Sequence, residues 1–424
     1  NAVGNTFTFT VGSGNSGGTF SGVIRSSAGT MSLAKIGTGT LILTGGNRYT
    51  GGTTVNGGSH VITNGGVIDN AAACAIGTGG TNTVIVAGAG SMWTNTSTLS
   101  VNGVGNTLSI SGGGKVFFSG GSDPVFSGYG SGVVVDGGQF VNAGNWMMGG
   151  GTGTNTITVR NGGYISFGSG PWIGRSSGNN YTIVVTGAGS RGASAQMQLG
   201  GDNADTYGHS LTLLDGAVWN DNNTLFLGGN NRSSYNNLVT VSGTGSVLTV
   251  NSVTIGNVAN CRSNTMTIAD GGVVNSGGSN VGGPGYRNTA TITGSGSRWS
   301  MGGGALAVGN GITAVGNGLN IVNGGAVTNV TTLTLGGVLA SVSVTNGGVF
   351  YATGLSSVGN ASGANGNIVT ARAGSLASVG LSIGGAAGSK SNSVVLASGT
   401  VWNIGSGGAG GPLTIGSGLD STNN

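Results

Sequence analysis

The chain has 424 residues and a net charge of +4; 96 residues are Gly, 4 are Pro and only 5% are charged, with nine Asp and no Glu. So little charge, spread thinly, excludes the clustered Lys/Arg patch of a nucleic-acid-binding protein. Gly interrupts every window long enough for a helix, and no apolar run is long enough to cross a membrane as one.

The first element is an alternating strand, Thr6-Phe-Thr-Phe-Thr-Val11, with Phe7, Phe9 and Val11 on one face. Residues 1–30 read as an N-terminal strand segment that links subunits or caps the fold, and residues 31–424 as one continuous solenoid. The chain opens without a basic segment or an apolar signal core, so the expectation is a secreted chain whose signal peptide has been removed.

A dense motif follows, running from Lys35 through Gly37-Thr-Gly-Thr-Leu-Ile-Leu43, then Asn47-Arg-Tyr-Thr-Gly51 and Thr53-Thr-Val55, to Gly58. It resembles the autotransporter-associated β-strand repeat of bacterial surface and passenger-type proteins. The resemblance implies a right-handed parallel β-helix, export, and an extracellular or cell-surface location. No C-terminal series of amphipathic ten-residue strands is legible, so a membrane barrel is not expected within this sequence.

Beyond residue 70 two markers alternate. One is an apolar triplet ending in Ile/Leu/Val-Gly, as in Cys74-Ala-Ile-Gly77, Leu225-Phe-Leu-Gly228, Val253-Thr-Ile-Gly256 and Leu381-Ser-Ile-Gly384. The other is an Asn-Thr strand closed by a Gly-containing turn, as in Asn155-Thr-Ile-Thr-Val159 with Asn161-Gly-Gly163. Counting turn glycines from Gly90 to Gly399 gives intervals of 23 to 29 residues. Three short strands and three corners in about 25 residues make one coil of a β-helix, with inward and outward residues alternating. Stacked coils place like residues in columns, which predicts Asn and Thr ladders.

Trp93, Trp219, Trp299 and Trp402 each lie three residues after a register Gly, with Phe117 at the equivalent place. They read as a packing column, or as a glycan-stacking platform if exposed. Trp172 occupies an outward position. Cys74 reads as inward. Cys261 reads as a corner residue, about seven coils and over roughly 30 Å away, beyond disulfide reach. The loops before the Asn-Thr strands carry Arg175, Arg232, Arg262, Arg287 and Lys390, with Tyr129, Tyr181, Tyr207, Tyr235 and Tyr286. Stacked, they would form a basic, aromatic contact ridge for a second subunit or an extracellular, acidic polysaccharide.

Catalytic chemistry finds little to work with. Asp69, Asp123, Asp136, Asp202, Asp205, Asp215, Asp221, Asp270 and Asp420 are scattered, several of them before turn glycines where Asp suits the backbone. Asp202, Asp205 and Asp221 could meet on neighbouring corners around a cation. His60 and His209 are far apart in the sequence, and the glycines of 149–153 lack the Lys-Ser/Thr of a phosphate loop. No enzyme activity, cofactor, metal or nucleic-acid partner is therefore expected. Both chain ends show strand pattern without a visible cap, which favours a self-assembling surface fibre or filament (a homopolymer). An adhesin or glycan-binding passenger is the alternative, with a polysaccharide-active enzyme and Thr-ladder ice binding behind it.

Overall fold

A computed structural model describes residues 4–77, 80–120, 125–149, 153–175, 177–397, 399–405 and 411–424. Asp123 and most of the 149–153 glycine run lie outside the described residues. Among the described residues there is no helix. The chain is a parallel β-solenoid of about 15 turns, roughly 25 residues apart. It divides into two compact units, residues 1–195 and 196–424.

In the first unit the strand Thr6–Val11 pairs in parallel with Thr30–Lys35, placing Phe7 over Met31, Phe9 over Leu33 and Val11 over Lys35. Each later coil adds a strand to each of three faces. One face carries the Gly-marker strands, such as Thr53–Val55 and Cys74–Ile76. A second carries the Asn-Thr strands, such as Thr83–Ala87 on Thr107–Ser111. The third follows the turns, such as Met92–Asn95 on Lys115–Phe118. Leu33, Val55, Ile76, Val86, Ile110, Val135 and Ile157 fill the interior at 0% exposure.

The second unit repeats the plan. Thr224–Leu227, Ser252–Ile255 and their successors form the Gly-marker face. Ser210–Leu214 through Ser393–Leu396 form the Asn-Thr face. Each fully buried aliphatic side chain contributes about 1.5–3 kcal/mol towards the folded state.

The two sequence markers prove to be halves of one lock. Several marker glycines of the second unit take a left-handed backbone: Gly228 has φ +103°, Gly256 +73° and Gly282 +77°. A Cβ on Gly256 would lie 2.3 Å from the Asn288 amide, and one on Gly282 would strike Asn317. Gly is thus required where the buried Asn enters. Those Asn side chains form a ladder. Asn237 Nδ2 donates to Asn264 Oδ1 at 2.8 Å, Asn264 to Asn288 at 2.9 Å, and Asn288 to Asn317 at 3.2 Å. Each Oδ1 also accepts the backbone N–H one coil before, as with Asn264 N at 3.1 Å. His209 and Ala340 stand in the same column, each donating its backbone N–H to the next Asn Oδ1, and in the first unit Ser131 donates likewise to Asn155.

Three expectations need correction. Val116, not Phe117, lies opposite Trp93, because the Gly112-Gly113-Gly114 turn shifts the register by one; Phe117 faces outward and Phe118 inward. Phe118 meets Trp93 edge-to-face at 5.4 Å. Cys261 is a corner residue that turns inward, at 0% exposure, with its thiol donating to the Gly228 carbonyl. Tyr181 is also fully buried and belongs to the core rather than to a ridge.

Candidate functional site

A set of buried polar groups is centred on the motif at 35–58 and extends to Asn70, Cys74 and Asn95. Lys35 points inward and donates from Nζ to the carbonyls of Ile36 at 2.8 Å, Gly37 at 3.0 Å and Gly57 at 3.0 Å. Burial lowers its pKa. Asn47 donates to the Gly45 and Val67 carbonyls and accepts the Ile24 N–H at 3.0 Å. Tyr49 Oη and Thr53 Oγ1 share a 2.5 Å hydrogen bond, and Asn70 Nδ2 donates to Thr53 at 2.8 Å. Cys74 Sγ accepts from the Thr53 N–H, Asn70 and Asn95, each at 3.2 Å. Burial pushes the thiol up to about 11, so it is held as a neutral, unreactive core group. These contacts stitch one coil to the next; the motif's polar residues specify the fold.

His60 lies above this cluster at 0% exposure, between Leu41 and Val84 in the register. Neither ring nitrogen has a hydrogen-bond partner. Burial, with the nearby Lys35 charge, lowers its pKa to about 4. His209, in the second unit, is lowered to about 3 by burial. Both are neutral at physiological pH, and no hydrogen bond from a carboxylate orients His60 as a general base.

The Trp column is interior. Trp93, Trp219 and Trp299 have 0% exposure and Trp402 has 7%, so none of these rings can stack on a glycan. Trp299 and Trp402 donate their indole N–H to Ser276 and Ser378 at 2.9 and 3.0 Å. Trp172 is half-buried and facing outward, with the Arg175 guanidinium 3.8 Å over its ring. Arg175 thus belongs to a contact within the first unit.

In the second unit the corner column runs Tyr207, Tyr235, Arg262, Tyr286. Tyr207 and Tyr235 stack at 5.2 Å and 18°, and the Arg262 guanidinium lies 4.2 Å over Tyr235. Lys390 stands farther along the corner, paired with Asn365 and Thr422. Arg287 follows Tyr286 with φ +55° and is exposed, as is Arg232. Asp202 accepts from Asn231, and Asp205 accepts the Ser233 N–H at 3.2 Å on the same corner.

At the start of the first unit, Phe7 is 49% and Phe9 40% exposed. With Val11 beside them, Phe9, Phe20, Ile24, Leu41 and Leu43 line an apolar hollow of about 120 Å³.

The carboxylates serve local geometry. Asp136 is held below the usual carboxylate range by hydrogen bonds from Asn161 and Arg160 and by the Arg160 charge. Asp215 and Asp270 adopt left-handed turns at φ +54° and +51°. Asp221 is buried and accepts the Asn223 N–H at 3.0 Å. Among the described residues no three His, Cys, Asp or Glu groups converge on a cation position. Cys74 and Cys261 are both free.

Comparison with known proteins adds three findings. No curated protein matches the chain. Among solved structures, it is similar at 13% identity and a TM-score of 0.35 to a hyper-glycosylated fragment of TibA, over 96% of this chain and 99% of that one. Residues 33–59 match the family model described as the passenger-associated-transport-repeat. The segment holding Lys35, Asn47, Tyr49 and Thr53 thus matches a passenger-type repeat and is folded here as coils of a β-solenoid.

Proposed function

We propose that this chain is an extracellular β-helical scaffold of a bacterial surface, a passenger-type structural protein that self-associates and has no enzymatic role. The observation that carries this reading is the passenger repeat at 33–59, whose polar residues are spent on holding coils together. The dispersal of the Asp residues into turns and the burial of both His side chains support it further.

Self-association works by strand addition. One edge of Thr6–Val11 pairs with Thr30–Lys35, and the other offers backbone groups in line with an apolar face of Phe7, Phe9 and Val11. A strand from a second copy fits such an edge in parallel register. Repeated head-to-tail addition gives a filament. Sedimentation velocity and negative-stain microscopy test this directly. The native chain should polymerise, and Phe7→Asp with Phe9→Asp should return it to monomer. A native chain that stays monomeric up to high micromolar concentration refutes the assembly.

The Tyr207–Tyr235–Arg262 stack, with Tyr207 exposed and the other two half-buried, favours an adhesin reading as the alternative. Here the second unit would bind an acidic polysaccharide along its corner. Arg232→Ala, Arg262→Ala and Arg287→Ala together should then abolish binding on a polysaccharide array. Unchanged binding removes the corner from consideration.

A further inference from the structure

The Asn-Thr face of the second unit carries an ordered set of outward side chains. Seven consecutive strands, from Ser210–Leu214 to Ile368–Arg372, pair in unbroken parallel register. Each turns its first, third and fifth positions to this face, where only Gly318 is buried. The central column reads Thr212, Thr240, Thr267, Thr291, Asn320, Ser343, Thr370. Of the twenty-one outward positions, thirteen are Ser or Thr and only Arg372, at the last rung, is charged. The densest part is Thr265, Thr267, Thr289, Thr291 and Thr293.

In the first unit Ile85, Val134 and Val184 break the equivalent central column, and Asp136 and Arg160 sit at its side.

We propose that this face binds ice. Parallel rungs lie about 4.8 Å apart, and alternate residues along a strand about 6.6 Å apart. Water oxygens joined tetrahedrally by hydrogen bonds of about 2.75 Å lie about 4.5 Å apart across a shared neighbour and repeat every ~7.3 Å across stacked layers. The rung mismatch is about 0.3 Å per step, so three rungs stay within about 0.6 Å and seven drift by roughly 2 Å. The contact is therefore centred on the three rungs of Thr240, Thr267 and Thr291, within the four-rung run of Thr that begins at Thr212 and beside the dense Thr289 and Thr293. Threonine is suited to the task, because its branched Cβ limits χ1 and little side-chain freedom is lost when the array orders water.

The composition of the face argues against the other occupants. Trp, Tyr and Arg anchor protein interfaces, and apart from Arg372 none of them is present here. An acidic polysaccharide would find no cations along the central rungs.

The test uses the whole chain and measures thermal hysteresis and ice recrystallisation inhibition. The native protein should show both activities. Thr267→Tyr with Thr291→Tyr, which place bulk on an outward surface, should remove at least nine-tenths of the activity. Thr158→Tyr, on the same face of the first unit, should leave it unchanged. Circular dichroism melts of all three proteins confirm folding, and Thr267→Val with Thr291→Val offers a milder pair should the Tyr variants misfold. A native protein without activity overturns the proposal, as does full activity in the Tyr variant. A change in sedimentation rather than in ice activity on Thr267→Tyr also overturns it, and assigns the face to a second copy.

Discussion

Replacing His60 with Leu should stabilise the first unit and remove its sensitivity to mild acid. His60 is fully buried between Leu41 and Val84, and both ring nitrogens lack partners. Its folded pKa is about 4, against about 6.5 in an unfolded chain. Between these values the unfolded state binds more protons, so stability is retained above about pH 6.5 and falls as pH drops towards 4. At pH 5 the loss is about 2 kcal/mol relative to pH 7. For a unit of this size that lowers the melting temperature by roughly 4–8 °C. The chain has two His and no Glu, so few other groups titrate between pH 7 and 5. Leu also removes two unsatisfied ring nitrogens, worth about 1–3 kcal/mol at neutral pH. Thermal melts of native protein and His60→Leu at pH 7 and pH 5, with hydrogen exchange reporting on peptides of the first unit, provide the assay. A native protein equally stable at both pH values, or a variant that keeps the full pH slope, refutes the reasoning.

Further substitutions test the packing. Gly256→Ala forces a side chain into a left-handed backbone and against Asn288; it should cost more than about 2 kcal/mol by denaturant titration, as should Asn288→Ala, which strands the Asn264 backbone N–H. Trp299→Ala should cost about 3–5 kcal/mol through its cavity and its lost bond to Ser276. Trp172→Ala, half-exposed and held by Arg175, should cost only about 1 kcal/mol.

Much of the coil was legible because a β-helix writes its period into the chain. Leu225-Phe-Leu-Gly228 and Asn264-Thr each declare a strand and a corner. What stayed hidden is that the Gly of one coil and the Asn of the next occupy the same space, since the two are 36 residues apart in this pair. Register within a three-glycine turn was also illegible. Gly112, Gly113 and Gly114 are equivalent in sequence, and only the pairing of Met92 with Lys115 fixes which one closes the coil. Corner side chains were the least readable. Cys261 and Tyr181 sit in loops like their neighbours, yet both turn inward, because corner direction depends on backbone angles that the pattern of apolar residues does not encode. The corner column could be found because its Tyr and Arg recur with the period; that Asp202 and Asp205 bond to Asn231 and the Ser233 N–H there became apparent only in three dimensions.

The surface-scaffold account is tested most directly by thiol labelling on intact cells that express the full-length gene. Cys74 and Cys261 are buried, whereas Thr249 is exposed on the strand Val247–Thr249. With a membrane-impermeant maleimide, Thr249→Cys should label as strongly on intact cells as after lysis, while the native protein stays unlabelled until it is denatured. Labelling of Thr249→Cys only after lysis would contradict the account.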